Sequence, residues 1–106
     1  MKKLKDITNI TRFVTTSGIN EECDNNVLFK GIINKCLERH LNNDFGDLDP
    51  EDIEANKNAI KDSLLSDRVL SRYDIEGYEP IYIITEYYGG YEGVEYLTTI
   101  LFTYEY

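Results

Sequence analysis

The residues best suited to chemistry crowd into one short stretch: Arg39, His40, Asp44, Asp47, Asp49, Glu51 and Asp52. Imidazole and carboxylate both suit divalent ions, so a metal site is the first reading to weigh. The spacing speaks against it. His40 is the chain's single histidine, and there is no HxxxH pair, HxH pair or cysteine partner at metal spacing. A calcium loop of the EF-hand kind needs a Gly at its sixth position and a Glu at its twelfth, and Gly46 falls out of step with every Asp start. Helix capping and loop closure account better for these carboxylates. No metal and no cofactor is expected.

His40 is also a candidate general base, with Ser63, Ser66 or Cys36 as nucleophiles. No nucleophile elbow and no Gly-rich oxyanion loop accompanies it, and Cys36 lies on the apolar face of its helix. A histidine in the last turn of a helix is explained by the helix dipole. Gly89-Gly90 and Gly93 suggest a phosphate loop, but a Walker loop needs a following Lys-Ser/Thr and a dinucleotide loop needs a following helix. Tyr91, Glu92 and a strand come next instead. No catalytic residue is assigned.

The C-terminal third is less ordinary. All nine tyrosines lie between Tyr73 and Tyr106, and that stretch carries seven carboxylates without one Lys or Arg. Strand propensity explains some of the tyrosines but not the missing cations. Tyrosine is amphipathic, loses little rotamer entropy and is enriched in recognition surfaces. An acidic, tyrosine-rich sheet and hairpin suit a partner with a basic surface, such as a nucleic-acid-binding groove. Glu86, Tyr87, Tyr88, Tyr91, Glu92 and Glu95 are the expected partner-binding residues.

Helices come first and strands afterwards. Ile10–Thr16 is β-branched and aromatic and reads as a short strand stopped by Ser17-Gly18. Asp24-Asn25-Asn26 supplies caps for an amphipathic helix of about 15 residues with Leu28, Phe29, Ile32, Ile33, Cys36, Leu37 and His40 on its apolar side. Asn42–Gly46 turns the chain. A second helix starts with Asp49 as cap, Pro50 at the first position and Glu51 and Asp52 in the first turn, its thin apolar stripe being Ile53, Ile60 and Leu64. From Arg68 the period changes to two, with strands over Val69–Ile75, Ile81–Tyr88 and Val94–Tyr104 joined by turns at Gly77–Pro80 and Gly89–Gly93. On the last strand Val94, Tyr96, Thr98, Ile100, Phe102 and Tyr104 share the face that should meet the helices. The expectation is one α+β domain over residues 1–106, ordered β-α-α-β-β-β, with two helices on one face of a small antiparallel sheet and a loose N-terminus over 1–9.

Composition narrows the function classes. The chain has 106 residues, 42% of them hydrophobic, enough for one core. Its formal charge of −9 disfavours direct contact with nucleic acid. No apolar leader follows Met1-Lys2-Lys3, and no run approaches the length of a membrane span. Cys23 and Cys36 form no CxxC pair, which suits reduced thiols and a cytoplasmic setting.

The stretch Arg39-His40-x-x-Asn43-Asp44-Phe45-Gly46-Asp47-Leu48-x-x-Glu51-Asp52-x-x-Ala55-Asn56 resembles the signature of a small family of plasmid-related proteins, R-H-x-x-G-D-W-G-D-L-x-x-E-D-x-x-x-N. Leu70-Ser71-x-Tyr73, Ile81–Glu86 and the segment from Thr98 to Tyr106 are similar in order and spacing. Asn43 stands where the pattern has Gly, Phe45 where it has Trp, and Tyr87–Tyr96 is longer than the tight turn of relatives. The resemblance implies residence on bacterial plasmids, phages or integrated elements, with no established reaction. The expected function is that of a non-enzymatic, acidic accessory protein that occupies the basic surface of a host defence nuclease, as an anti-CRISPR or anti-restriction protein would. The alternative is an enzyme or small-ligand protein centred on Arg39, His40, Asp44 and Asp47, since function often lives on loops. A structural account of the same loop pairs Arg39 with Asp44 or Asp47, plugs the helix junction with Phe45 and gives Gly46 a positive φ.

Overall fold

Among the described residues four helices lie against one face of a four-stranded sheet, in the order α1 (Leu4–Ile7), β1 (Thr11–Thr15), α2 (Ser17–Asn25), α3 (Val27–Leu41), α4 (Pro50–Ala59), β2 (Val69–Tyr73), β3 (Ile81–Tyr91) and β4 (Val94–Phe102), with a final 3-10 turn over Thr103–Glu105. The structure, a computed structural model, describes residues 2–8, 11–61, 64–91 and 93–106, with Tyr91 described by its backbone alone. The shortest dimension is 21 Å, the thickness of one helix layer on one sheet at about 10 Å each. On the other sheet face Leu101 is buried and Tyr82, Ile84, Leu97 and Thr99 are half-buried.

The sheet order is β1-β4-β3-β2. β2, β3 and β4 form the expected antiparallel meander, but β1 runs parallel to β4. The sheet is mixed, not antiparallel throughout. A hairpin partner must run antiparallel, whereas β1 is joined to the meander through three helices and escapes that constraint.

The first strand ends at Thr15, just before Ser17-Gly18, and these two residues open α2. Thr16 is the N-cap, its hydroxyl accepting from the Ile19 N–H. A Cβ on Gly18 would come within 2.7 Å of a Glu105 carboxylate oxygen, so glycine there lets the C-terminal turn close on the helix. Asn26 both ends α2 and caps α3, accepting from the Phe29 N–H at 3.1 Å.

On α3, Phe29, Ile33, Cys36 and His40 are buried at spacings of four, three and four. Leu28 was expected in the core but is 79% exposed. The apolar columns of this helix are two residues wide, and only the Phe29 column faces the sheet. It packs with Ile19, Tyr73, Ile81, Ile83, Ile100 and Phe102. A second cluster joins Leu4, Ile7, Phe45, Ala59, Ile60, Leu65, Val69 and Tyr96. Leu4 and Ile7, within the N-terminal stretch expected to be loose, are buried in this cluster. On α4 the buried residues are Asn56 and Ala59, while Leu64 is half exposed. The final strand stops at Phe102, two residues early, because the 3-10 turn takes over. β3 runs on to Tyr91, past Gly89 and Gly90, both at positive φ in an irregular stretch of the ladder. Ile10 lies outside the described residues.

Candidate functional site

The motif loop is built around the end of α3 and the outer edge of β2. Asn43 takes a left-handed φ of 64°, which turns the chain out of α3. Its side chain accepts from the Leu4 N–H at 2.8 Å and donates to the Lys2 carbonyl at 2.9 Å, tying down the N-terminus. Arg39 grips Asp44 with a fork, Nε to Oδ2 at 2.7 Å and Nη2 to Oδ1 at 3.2 Å. Its guanidinium sits 4.7 Å from the centre of the Tyr73 ring, and the Tyr73 hydroxyl donates to the Asp44 carbonyl at 2.6 Å. The Arg39 hydrogen bond, helped by the Gly46 N–H, holds the Asp44 carboxyl below its usual range.

Downstream residues close the β2 edge. The Arg72 N–H donates to the Phe45 carbonyl at 3.1 Å, and the Asp47 N–H to the Arg72 carbonyl at 2.7 Å. The Asp47 carboxylate accepts from the Asp74 N–H at 2.9 Å. Asn56 then uses both ends of its amide on Leu70, accepting from its N–H at 3.0 Å and donating to its carbonyl at 2.6 Å. Phe45 is buried beneath. Gly46 has φ 75°, and a Cβ there would run into the Arg72 carbonyl and the Tyr73 ring. The motif is a zipper on a sheet edge that would otherwise present bare N–H and C=O groups.

His40 points the other way, into the core. Its Nδ1 meets the Ser71 hydroxyl at 2.6 Å and its Nε2 the Thr85 hydroxyl at 2.9 Å. Thr85 bonds Thr98 at 2.8 Å, and Thr98 bonds Thr11 at 3.0 Å. A continuous polar chain therefore crosses all four strands beneath α3. Burial pushes the His40 pKa down to about 3, so the ring is neutral, one nitrogen donating and the other accepting.

Arg39, His40, Asp44 and Asp47 do not converge on an open pocket. His40, Ser71, Thr85 and Thr98 are fully buried, and the carboxylates of Asp44 and Asp47 face solvent on the sheet edge. Ser71 and His40 have the atoms of a nucleophile and base, but no substrate can reach them. Burial pushes the Cys36 thiol up, away from thiolate. Ser66 bonds the Asn58 and Ala59 carbonyls; Ser63 lies outside the described residues. Among the described residues no group of three or more His, Cys, Asp or Glu is placed to hold a metal ion, and no helix is long and apolar enough to cross a membrane.

The expected partner-binding residues are divided. Glu86 stands exposed on the sheet face turned away from the helices, opposite Leu97 in the ladder. Tyr87 is 64% exposed on the helix-side face, edge-on to Tyr96 with ring centres 5.9 Å apart. Tyr88 and Glu95 are exposed; Glu92 and the Tyr91 side chain lie outside the described residues. A hollow of about 350 Å³ beside Tyr87 is shared by Leu65, Asp67, Arg68 and Glu86, so folding brings a cation to this end of the sheet.

The opposite end holds what the sequence did not bring forward. A cleft of about 650 Å³ opens between α2 and the β2–β3 turn, lined by Gly18, Glu21, Glu22, Asn25, Gly77, Tyr78, Glu79, Phe102 and Tyr104. No Lys or Arg is among them. Tyr78 packs 4.7 Å from the Phe29 ring and hydrogen-bonds Asn26; Tyr104 stacks on Phe102 at 5.4 Å. Next to the lining residues Gly18 and Phe102, Glu105 accepts from the Thr16 hydroxyl and the Gly18 and Phe102 N–H groups. Burial raises its pKa, but these three donors outweigh burial and leave it lowered. The missed signal was the Glu21-Glu22 pair, in a stretch to which the sequence reading assigned no element.

Comparison with known proteins finds no matching family model, no similar curated protein and no similar solved structure.

Proposed function

We propose that this chain is a non-enzymatic, acidic accessory protein of a bacterial plasmid, phage or integrated element, and that it inhibits a host defence nuclease by covering its basic, nucleic-acid-binding surface. One observation carries the reading: a cation-free cleft that combines three glutamates with two tyrosine rings. Carboxylates beside aromatic faces suit Lys and Arg side chains, which gain both charge pairing and cation–π contact. Glu86 and Glu95 extend the acidic surface to the hairpin end, where Tyr87 and Tyr88 supply apolar anchors. The motif's resemblance to plasmid-related proteins supports the mobile-element setting.

The motif loop supports the reading by elimination. The side chains of Arg39, His40, Asp44, Asp47 and Asn56 are engaged with one another, the β2 edge or the core, so the reading rests on the exposed acidic and tyrosine surfaces instead. The partner is sought by affinity capture from a bacterial lysate, with the wild-type chain and a Glu21→Gln/Glu22→Gln/Glu79→Gln variant as parallel baits. A basic nuclease retained by the wild type and lost with the variant supports the proposal. Equal capture by both baits rejects the cleft as the contact.

A further inference from the structure

The two outer edges of the sheet are treated differently. On β2 the outward groups of Leu70 and Arg72 are closed by Asn56, Phe45 and Asp47. On β1 the Thr16 N–H donates to the Ile100 carbonyl of β4 at 3.1 Å. Strand alternation then turns the N–H and C=O groups of Thr11, Phe13 and Thr15 outward. Among the described residues no backbone–backbone hydrogen bond reaches them. Phe13, at the centre, is 47% exposed. The strand has no Pro, no Lys and no bulge to blunt the edge, and its single charge, Arg12, has its own amide turned toward β4.

We propose that β1 pairs antiparallel with β1 of a second copy, about a two-fold axis midway between the two Phe13 residues, joining two four-stranded sheets into one. The occupant is named by the strand itself, because Thr11-Arg12-Phe13-Val14-Thr15 is self-complementary in that register. Thr11 meets Thr15 of the second copy, Phe13 meets its own counterpart, and Arg12 meets Val14. Thr–Thr and aromatic–aromatic cross-strand pairs are among the favoured ones. All three outward residues fall at hydrogen-bonded positions, so the seam closes with about six N–H···O=C bonds. Each copy carries a formal charge of −9, yet the seam contains no carboxylate. The opposing force is long-range repulsion, which salt screens. Dimerisation therefore strengthens with added salt, the opposite sign to capture of a basic partner, and the two proposals succeed or fail separately.

The test is sedimentation velocity of the whole chain from about 5 µM to about 500 µM, the range suited to an interface smaller than about 1,200 Å², at low and physiological ionic strength. The expected result is a dimer fraction that grows with concentration and with salt. Phe13→Lys sets two ammonium groups against each other at the axis and raises the dissociation constant by about tenfold or more. Phe13→Pro, which removes the central outward N–H at an edge position that tolerates proline, does the same. Either variant is read with its circular dichroism matched to wild type. In amide exchange, Thr11, Phe13 and Thr15 slow as concentration rises, whereas Arg12 and Val14 are protected throughout. A wild-type chain that stays monomeric over the range overturns the proposal. So do folded variants that dimerise as well as wild type, or outward amides that slow only when an unrelated extended peptide is added.

Discussion

Lowering the pH from 8 to 5 should destabilise this protein by about 2 kcal/mol through His40 alone. In the unfolded chain the imidazole titrates near 6.5, whereas burial between the Ser71 and Thr85 hydroxyls lowers its folded pKa to about 3. Between those values the unfolded state binds a proton that the folded state refuses, so stability falls as pH falls. The contribution is full above the unfolded pKa, about 2 kcal/mol lower at pH 5, and lower by about 4–5 kcal/mol once pH reaches the folded pKa. His40 is the chain's only histidine, so replacing that one ring isolates its share of the slope. The assay is urea unfolding followed by tyrosine fluorescence or circular dichroism at half-unit pH steps. His40→Gln, which keeps a donor and an acceptor without a titrating ring, is the control, and the wild-type loss in excess of the control's should be about 2 kcal/mol between pH 8 and 5. A wild-type stability flat from pH 8 to 5 would refute the buried hydroxyl-bonded histidine.

The remaining predictions concern the zipper. Gly46→Ala should cost about 3 kcal/mol or more, because a Cβ at φ 75° strains the backbone and meets the Arg72 carbonyl; a denaturant midpoint within error of wild type contradicts that. Asn56→Ala should cost about 2–3 kcal/mol by orphaning the Leu70 N–H and carbonyl, and light scattering should show more aggregation from the opened edge. Arg39→Ala should cost only about 1 kcal/mol, since the Arg39 and Asp44 side chains are 44% and 53% exposed. A much larger loss would mean that the Tyr73 contact carries the loop.

Much of this fold is legible in the sequence, and particular residues show where legibility ends. Alternation in Val69–Tyr73 and Tyr96–Phe102 identifies the buried strand face, because the period of two depends only on pleating. The α3 spacing identifies a helix but not which of two adjacent apolar columns turns inward, so Phe29 is buried as expected while Leu28, read with it on the apolar side, is exposed. Thr16 as a cap was hidden by Gly18, which reads as a breaker until Glu105 is seen closing over it. The β1–β4 pairing joins residues more than eighty positions apart, and no local pattern records strand direction. At the candidate site, Arg39, Asp44, Phe45 and Gly46 play the structural parts their types suggest. His40 was read with its neighbours in the chain, whereas its partners are inward-facing hydroxyls on strands. The acidic cleft draws on three distant segments, which is why composition points to acidity without locating it.

The central claim, a basic surface as the target, is tested most directly by competition. The protein is titrated into a host defence nuclease bound to labelled DNA, at low and at physiological ionic strength. The account predicts displacement of the DNA, weaker at higher salt. It predicts further loss when Glu21, Glu22 and Glu79 become Gln, and a smaller loss for Glu86→Gln, Glu92→Gln and Glu95→Gln together. Binding that leaves the DNA in place, or displacement indifferent to both sets of changes, would contradict it.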